Sequence, residues 1–225
     1  YYINAIVEED GDLRVREYYS MTGEYNGSIR EINYQNSSAY PFRPELESYG
    51  GSTLHNGNGI TINEIRAVKI NSKFDFTNVT GDKFKKVESA DPGDYGVYTT
   101  EIGYDGYTYK IFLPDNEEKA FYIDYTISNM AILHNDVAEL GWNVLGDSSS
   151  ESIKNLEVTV TFPNNQNEFR VWAHGPLNGV VTPENKNVLK ASISNLGMYE
   201  ALDVRATFDK EVIPYLDSQI EFESG

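Results

Sequence analysis

The chain has no cysteine. That excludes a disulfide framework, a thiolate zinc centre and a cysteine nucleophile. It does not assign a compartment, because a rigid multi-stranded core can replace disulfide staples in a surface protein. Histidine is scarce (His55, His134 and His174), and tryptophan scarcer (Trp142 and Trp172). Cations are also few: 18 Lys and Arg stand against 35 Asp and Glu, a formal net charge of −17. A phosphate-binding surface needs clustered cations, and the only short basic run is Lys83, Lys85 and Lys86. Nucleic acid is therefore not an expected partner, and docking on anionic headgroups is disfavoured. Residues 1–125 carry 12 basic and 21 acidic side chains and residues 126–225 carry 6 and 14, so the acidity is no tail. Even acidity favours solubility and an expected monomer.

Other absences narrow the chemistry. No apolar run approaches the roughly 20 residues that cross a bilayer. Membrane attachment is expected only through helices outside this stretch. The sequence opens on Tyr1-Tyr2-Ile3 with neither Met nor leader, which reads as an excised piece whose targeting segment has been removed. There is no Gly-x-Ser-x-Gly elbow, no P-loop and no Gly-x-Gly-x-x-Gly after a strand. With 35 acids, carboxylate pairs at glycosidase spacing arise by chance, so no catalytic residue is assigned.

What the sequence does have is alternation, over 225 residues that are 40% hydrophobic and 13% aromatic. That is enough for one large domain or two small ones. Val, Ile, Thr, Phe and 17 tyrosines fill the runs, as strands with one packed face require. Candidate strands are Tyr2–Glu8, Leu13–Met21, Gly59–Ile70, Phe84–Ser89, Tyr95–Ile102, Tyr107–Leu113, Ala120–Ser128, Glu139–Leu145, Leu156–Phe162, Phe169–His174, Val188–Ser194 and Leu202–Phe208. Asp10-Gly11 and Asp105-Gly106 read as hairpin turns, and Pro163-Asn164-Asn165 ends a strand. Met130–Leu140 and Glu211–Leu216 each allow a turn or two of helix or an irregular loop. Residues 33–59 are rich in Ser, Asn, Gly and Pro, and Tyr34, Tyr40, Phe42 and Tyr49 suggest that part of this stretch packs. The expected fold is all-β: two packed antiparallel Ig-like β-sandwiches, 1–125 and 126–225, or one extended sandwich, with little helix.

Several segments also carry a family resemblance. They are EDGDLRVREYYSMTGEYNGSIREI, AFYIDYTISNMAILHNDVAELGWNVLGD, NLEVTVTFP and VWAHGPLNGVV. In this order they resemble the YciQ-like (DUF2207) family of predicted bacterial membrane proteins. The most specific pieces are Asp136-Val-Ala-Glu139-Leu-Gly-Trp142 with Gly146, and Ala173-His174-Gly175-Pro176-Leu177. Glu17 and Arg30 also fit. The resemblance runs from about Ile3 to about Phe208. It implies a domain of unknown function outside the membrane, followed by membrane-spanning helices, on the extracellular face of a bacterial cell. It implies no enzymatic activity.

Few residues are candidates for chemistry. His134 with Asp136, Glu139 and His174 has the donor types of an imidazole–carboxylate site, without the spacing of a metal motif. On a strand, His134 and Asp136 would share a face. The plainer reading makes His134 a loop residue and His174 an anchor for the Gly175-Pro176 turn. Glu139, in an apolar stretch, is either a ligand-binding or acid–base carboxylate or one half of a buried ion pair. Arg30 or Arg14 is the expected partner, and Glu139, Arg30 and Glu17 are the ion-pair candidates. Trp142 and Trp172 are either sugar-stacking platforms or core. The ligand-binding candidates are thus His134, Asp136, Glu139, Trp142, Trp172 and His174.

No metal site is assigned and no cofactor is expected. Calcium has only the acidic turns Asp10-Gly-Asp12, Asp91-Pro-Gly-Asp94 and Asp115-Asn-Glu117-Glu118, none of which has the spacing of a calcium loop. The expected role is a non-catalytic extracellular module that binds, senses or assembles at the envelope. A surface hydrolase using Glu139, Asp136 and His174 and a passive spacer are the alternatives.

Overall fold

The computed structural model describes residues 1–23, 25–35, 57–103, 106–113, 119–149 and 151–216. Sixteen strands run in order as β1 (Tyr2–Val7), β2 (Leu13–Ser20), β3 (Gly27–Asn33), β4 (Gly59–Lys69), β5 (Asp82–Lys83), β6 (Lys85–Lys86), β7 (Val97–Ile102), β8 (Gly106–Phe112), β9 (Lys119–Ser128), β10 (Ala131–Leu133), β11 (Ala138–Leu145), β12 (Ile153–Thr161), β13 (Arg170–His174), β14 (Val180–Glu184), β15 (Val188–Leu196) and β16 (Leu202–Phe208). The only helical element among the described residues is a 3-10 turn at Lys210–Val212. The fold is all-β.

An eight-stranded sheet has the order β14-β15-β12-β1-β2-β9-β4-β5. Two four-stranded sheets, β10-β11-β16-β13 and β3-β8-β7-β6, hold the remaining strands among the described residues. The alternation explains how they pack. Ile3, Ala5 and Val7 of β1, Leu13, Val15 and Tyr19 of β2, and Phe121, Ile123, Tyr125 and Ile127 of β9 point one way, and all are buried. They join Trp142, Val204 and Phe208 of one small sheet and Tyr109 and Ile111 of the other in one apolar cluster. Phe162, just past β12, meets Phe208 of β16 at 4.8 Å between ring centroids. At the other end Tyr19 of β2 donates to Ser28 Oγ of β3 at 2.8 Å. The two small sheets thus lie side by side over one face of the large sheet, giving two sandwiches that share a sheet.

The division expected near residue 126 runs through β9, and the large sheet takes strands from both sides of it. β1 pairs in parallel with β12, Tyr2 opposite Glu157 and Ile6 opposite Thr161. β6 and β7 are also parallel, so the pairing is mixed rather than wholly antiparallel. The β1–β2 hairpin forms at Asp10-Gly11, where Gly11 has φ +83°, a left-handed conformation that favours glycine. A Cβ there would also lie 2.6 Å from Leu216 Cδ1.

Four strands were not expected: β3, β5, β10 and β14, of which β5 is only the pair Asp82–Lys83 beside β4. β3 places Ile29 outward and Ile32 inward around a buried Arg30, so its two isoleucines do not alternate in sequence. β14 contains Pro183 and forms a sheet edge, where a missing donor is tolerated. β10 and the start of β11 replace the helix allowed at Met130–Leu140, with Asn129 at φ +53° turning the chain into β10. The allowance at Glu211–Leu216 yields only the 3-10 turn. Tyr34 is buried. The calls on Tyr40, Phe42, Tyr49, His55, Asp105 and Asp115–Glu118 lie outside the described residues.

Candidate functional site

β11 is buried at every position, and its strand alternation separates two sets of side chains. Leu140, Trp142 and Val144 enter the common core. Glu139, Gly141 and Asn143 belong to the opposite face, in register with Thr207, Arg205 and Asp203 of β16. Arg170, Trp172 and His174 on the edge strand β13 continue those rows.

On this face Glu139 is held from two sides. Arg205 Nε donates to Oε1 at 2.8 Å, and its second nitrogen donates to Oε2 at 3.0 Å. His134 Nε2 lies 3.1 Å from Oε2. Burial pushes the Glu139 carboxyl up, but the hydrogen bonds of His134 and Arg205 and the Arg205 charge hold it below its ordinary value. The Arg205 guanidinium sits 5.2 Å from the Trp172 ring centroid, a cation–π contact. His134, Glu139, Arg205 and Trp172 therefore form one continuous chain of contacts across the sheet.

The ion pair expected for Glu139 is present, with different partners. Neither Arg30 nor Arg14 reaches it. Arg14 bonds Asp124 at 2.7 Å. Arg30 forks onto Glu17, Nε to Oε2 at 3.2 Å and the second nitrogen to Oε1 at 3.0 Å. Glu17 is fully buried and also accepts from the hydroxyls of Tyr125, at 2.6 Å, and Tyr1. Burial, reinforced by the Glu17 charge, pushes both phenols well above their ordinary value. Burial is the largest influence and opposes the Arg30 charge, but Glu17 together with Tyr1, Tyr125 and Tyr109 outweighs it and holds the guanidinium above its ordinary value.

Arg30 has one further task. β10 pairs only with Ala138–Leu140, so among the described residues no strand pairs with the rest of that edge of β11. Arg30 donates to the Val144 carbonyl there at 2.6 Å. One guanidinium thus links β2 of the large sheet, β3 of one small sheet and β11 of the other. Gly146 belongs to the same junction: a Cβ on it would stand 2.8 Å from Asn33 Nδ2.

The other candidates separate. Trp142 is fully buried, which removes it as a stacking platform. Trp172 is 38% exposed on the outward face. His134 is buried, but Asp136 is exposed in the turn closed by His134 N–H to Val137 C=O at 2.9 Å, so the two do not share a strand face. His174 lies opposite Asp203, four residues along β16 from the partner of Glu139, about 13 Å away at ~3.3 Å per residue. An open cleft of about 620 Å³ lies at one end, lined by Ile6, Glu8, Asp10, Phe162 and Tyr215 among others, and none of the candidates borders it. Among the described residues no three His, Asp or Glu side chains gather in a metal-binding group. The described acidic turns use their carboxylates internally: Asp12 accepts from Asn129 N–H and Asp94 from Asp91 N–H, both at 2.8 Å.

Sequence reasoning missed Arg205, Tyr125, Tyr1 and the Val144 carbonyl. Arg205 leaves one trace, as the middle polar residue in Leu202-Asp-Val-Arg-Ala-Thr-Phe208. The register that brings it to Glu139 does not.

Comparison with known proteins gives a family and a loose structural likeness. The model of the N-terminal domain of a predicted membrane protein family, DUF2207, matches residues 1–208. No curated protein matches. One similar solved structure is described as a "putative protease from Parabacteroides distasonis ATCC 8503", at 10% identity and a TM-score of 0.43. The match covers 92% of this chain and 39% of that one, so the chain spans about two-fifths of that protein's length. A likeness this loose carries no argument about reaction.

Proposed function

The chain belongs to the DUF2207 family of predicted membrane proteins, and from that premise we propose that it is a non-catalytic module displayed on the extracellular face of a bacterial membrane. Its work there is binding, sensing or assembly at the envelope. One observation carries the non-catalytic reading. Glu139, the strongest acid–base candidate in the sequence, is clamped between Arg205 and His134 with its carboxyl held below the ordinary value. A general acid at neutral pH needs the opposite shift. The register also separates Glu139 from His174, which removes the convergence that a hydrolase would need.

A second reading, a rigid spacer, draws on the Glu17–Arg30–Val144 junction that joins all three sheets. A melting panel separates the two. Calcium, EDTA, soluble cell-wall fragments and simple glycans are added one at a time. A saturable rise of a few degrees with one additive supports binding, since a hundredfold excess over Kd adds about 2.7 kcal/mol. No shift with any of them supports the spacer.

A further inference from the structure

The outward face of the large sheet carries a second apolar cluster, separate from the main core. Tyr18, Val68, Ala120 and Tyr122 form its base, and Tyr2, Phe74, Phe76 and Val79 pack against it. Phe74, Phe76 and Val79 come from the crossing between β4 and β5, a strap over residues 70–81. Phe74 stacks on Tyr18 at 4.2 Å between centroids with 14° between the ring planes, and lies 5.8 Å from Tyr122. The Arg16 guanidinium lies 5.7 Å from the Phe76 ring centroid. The polar ties are few. Asn71 N–H donates to Tyr18 Oη at 2.7 Å and Tyr18 Oη donates to the Asn71 carbonyl at 3.1 Å, Tyr2 Oη donates to the Ser72 carbonyl at 2.7 Å, Arg16 to the Phe76 carbonyl at 3.4 Å and Arg66 to the Gly81 carbonyl at 3.0 Å. None of these contacts reaches the core that holds the three sheets together.

We propose that residues 70–81 are a strap that opens as a unit while the sandwiches stay folded, uncovering a slot built from Tyr2, Tyr18, Tyr122 and Arg16 that takes a Phe-x-Phe segment leading into a turn. The strap itself is the occupant, through Phe74-Asp75-Phe76. The reasons are the separation of the two clusters and the chemistry of the slot. Three phenol rings offer stacking faces, and an arginine at the side contacts the second ring. Regions held by few apolar contacts open at lower free energy than a core, and the strap meets that condition. The proposal is independent of the function proposed above.

Native-state hydrogen exchange across low denaturant concentrations tests the opening in the unaltered chain. The Asn71 amide is expected to exchange on the order of a hundredfold faster than those of Ile123 and Tyr125, with a shallower denaturant dependence. Exchange of all three amides at one rate and one slope would overturn the proposal. A variant with residues 71–80 replaced by a short Gly-Asn turn tests the slot. It is expected to keep the protection of Ile123 and Tyr125, and to bind a synthetic 70–81 peptide saturably. The same peptide carrying Phe74→Ala and Phe76→Ala is expected not to bind. Loss of protection of Ile123 and Tyr125 in the variant shows that the strap belongs to the core. A folded variant that ignores the unaltered peptide shows that the slot is no site. Either result overturns the proposal.

Discussion

Two buried carboxylates, Glu17 and Glu139, each accept a forked arginine, yet they sit in different kinds of place. Glu17 and Arg30 are sealed, with side chains 0% and 10% exposed, and they link three sheets. Glu139 is 5% exposed, but its Arg205 is 24% exposed and reaches the outward Trp172. The first pair is an internal joint: Glu17 of β2, Arg30 of β3, Tyr125 of β9 and the Val144 carbonyl of β11 meet in it, and Arg30 also donates to the Glu31 carbonyl of its own strand. The second is a row within one sheet, and water screens one end of it. The same chemistry therefore predicts unequal costs of disruption.

The largest effect is expected at the joint. Glu17→Gln leaves Arg30 without its counter-ion and is expected to lower stability by about 3–5 kcal/mol in urea unfolding. Arg30→Met is expected to match or exceed it, because the Val144 carbonyl also loses its donor. Next comes Glu139→Ala, at about 3 kcal/mol, since a partly exposed Arg205 can turn to water. Equal losses at Glu17 and Glu139 would break the contrast.

A third effect concerns pH. The Glu139 carboxyl lies below its ordinary 4.5 in the folded state. Its contribution is therefore complete above that value and drains away as pH falls through the lower folded value. Glu139→Gln is expected to flatten this part of the acid limb in melts taken between neutral pH and about pH 3. Trp172→Ala should be smaller, at about 1 kcal/mol, with the loss of the cation–π contact and partial packing. The smallest effect is expected at Tyr109, whose buried hydroxyl has no hydrogen-bond partner among the described residues. Tyr109→Phe should change the melting temperature little or raise it slightly. A clear drop would mean that this hydroxyl takes part in the joint.

The sequence shows the joint only in part. Leu13, Val15, Glu17 and Tyr19 alternate with Arg14, Arg16 and Tyr18, so Glu17 reads as an inward acid, and an inward acid needs a cation. The choice of Arg30 depends on β3, whose two isoleucines face opposite ways and hide the strand. Glu139 likewise reads as paired, but Arg205 is 66 residues away and arrives only through the β11–β16 register. His134 and Asp136 would share a face only if both lay on a strand, and a turn follows Leu133, as the loop reading has it. Alternation in sequence reports the face of a residue. It carries no information about which strands become neighbours, and the candidate site consists of cross-strand contacts.

The most direct test of the joint is a double-mutant cycle between Glu17→Gln and Arg30→Met, read by urea unfolding. A coupling of about 2–3 kcal/mol is expected, because each substitution removes an interaction that the other has already lost. A coupling below about 0.5 kcal/mol, the range of independent sites, would contradict the claim that this pair ties the three sheets together.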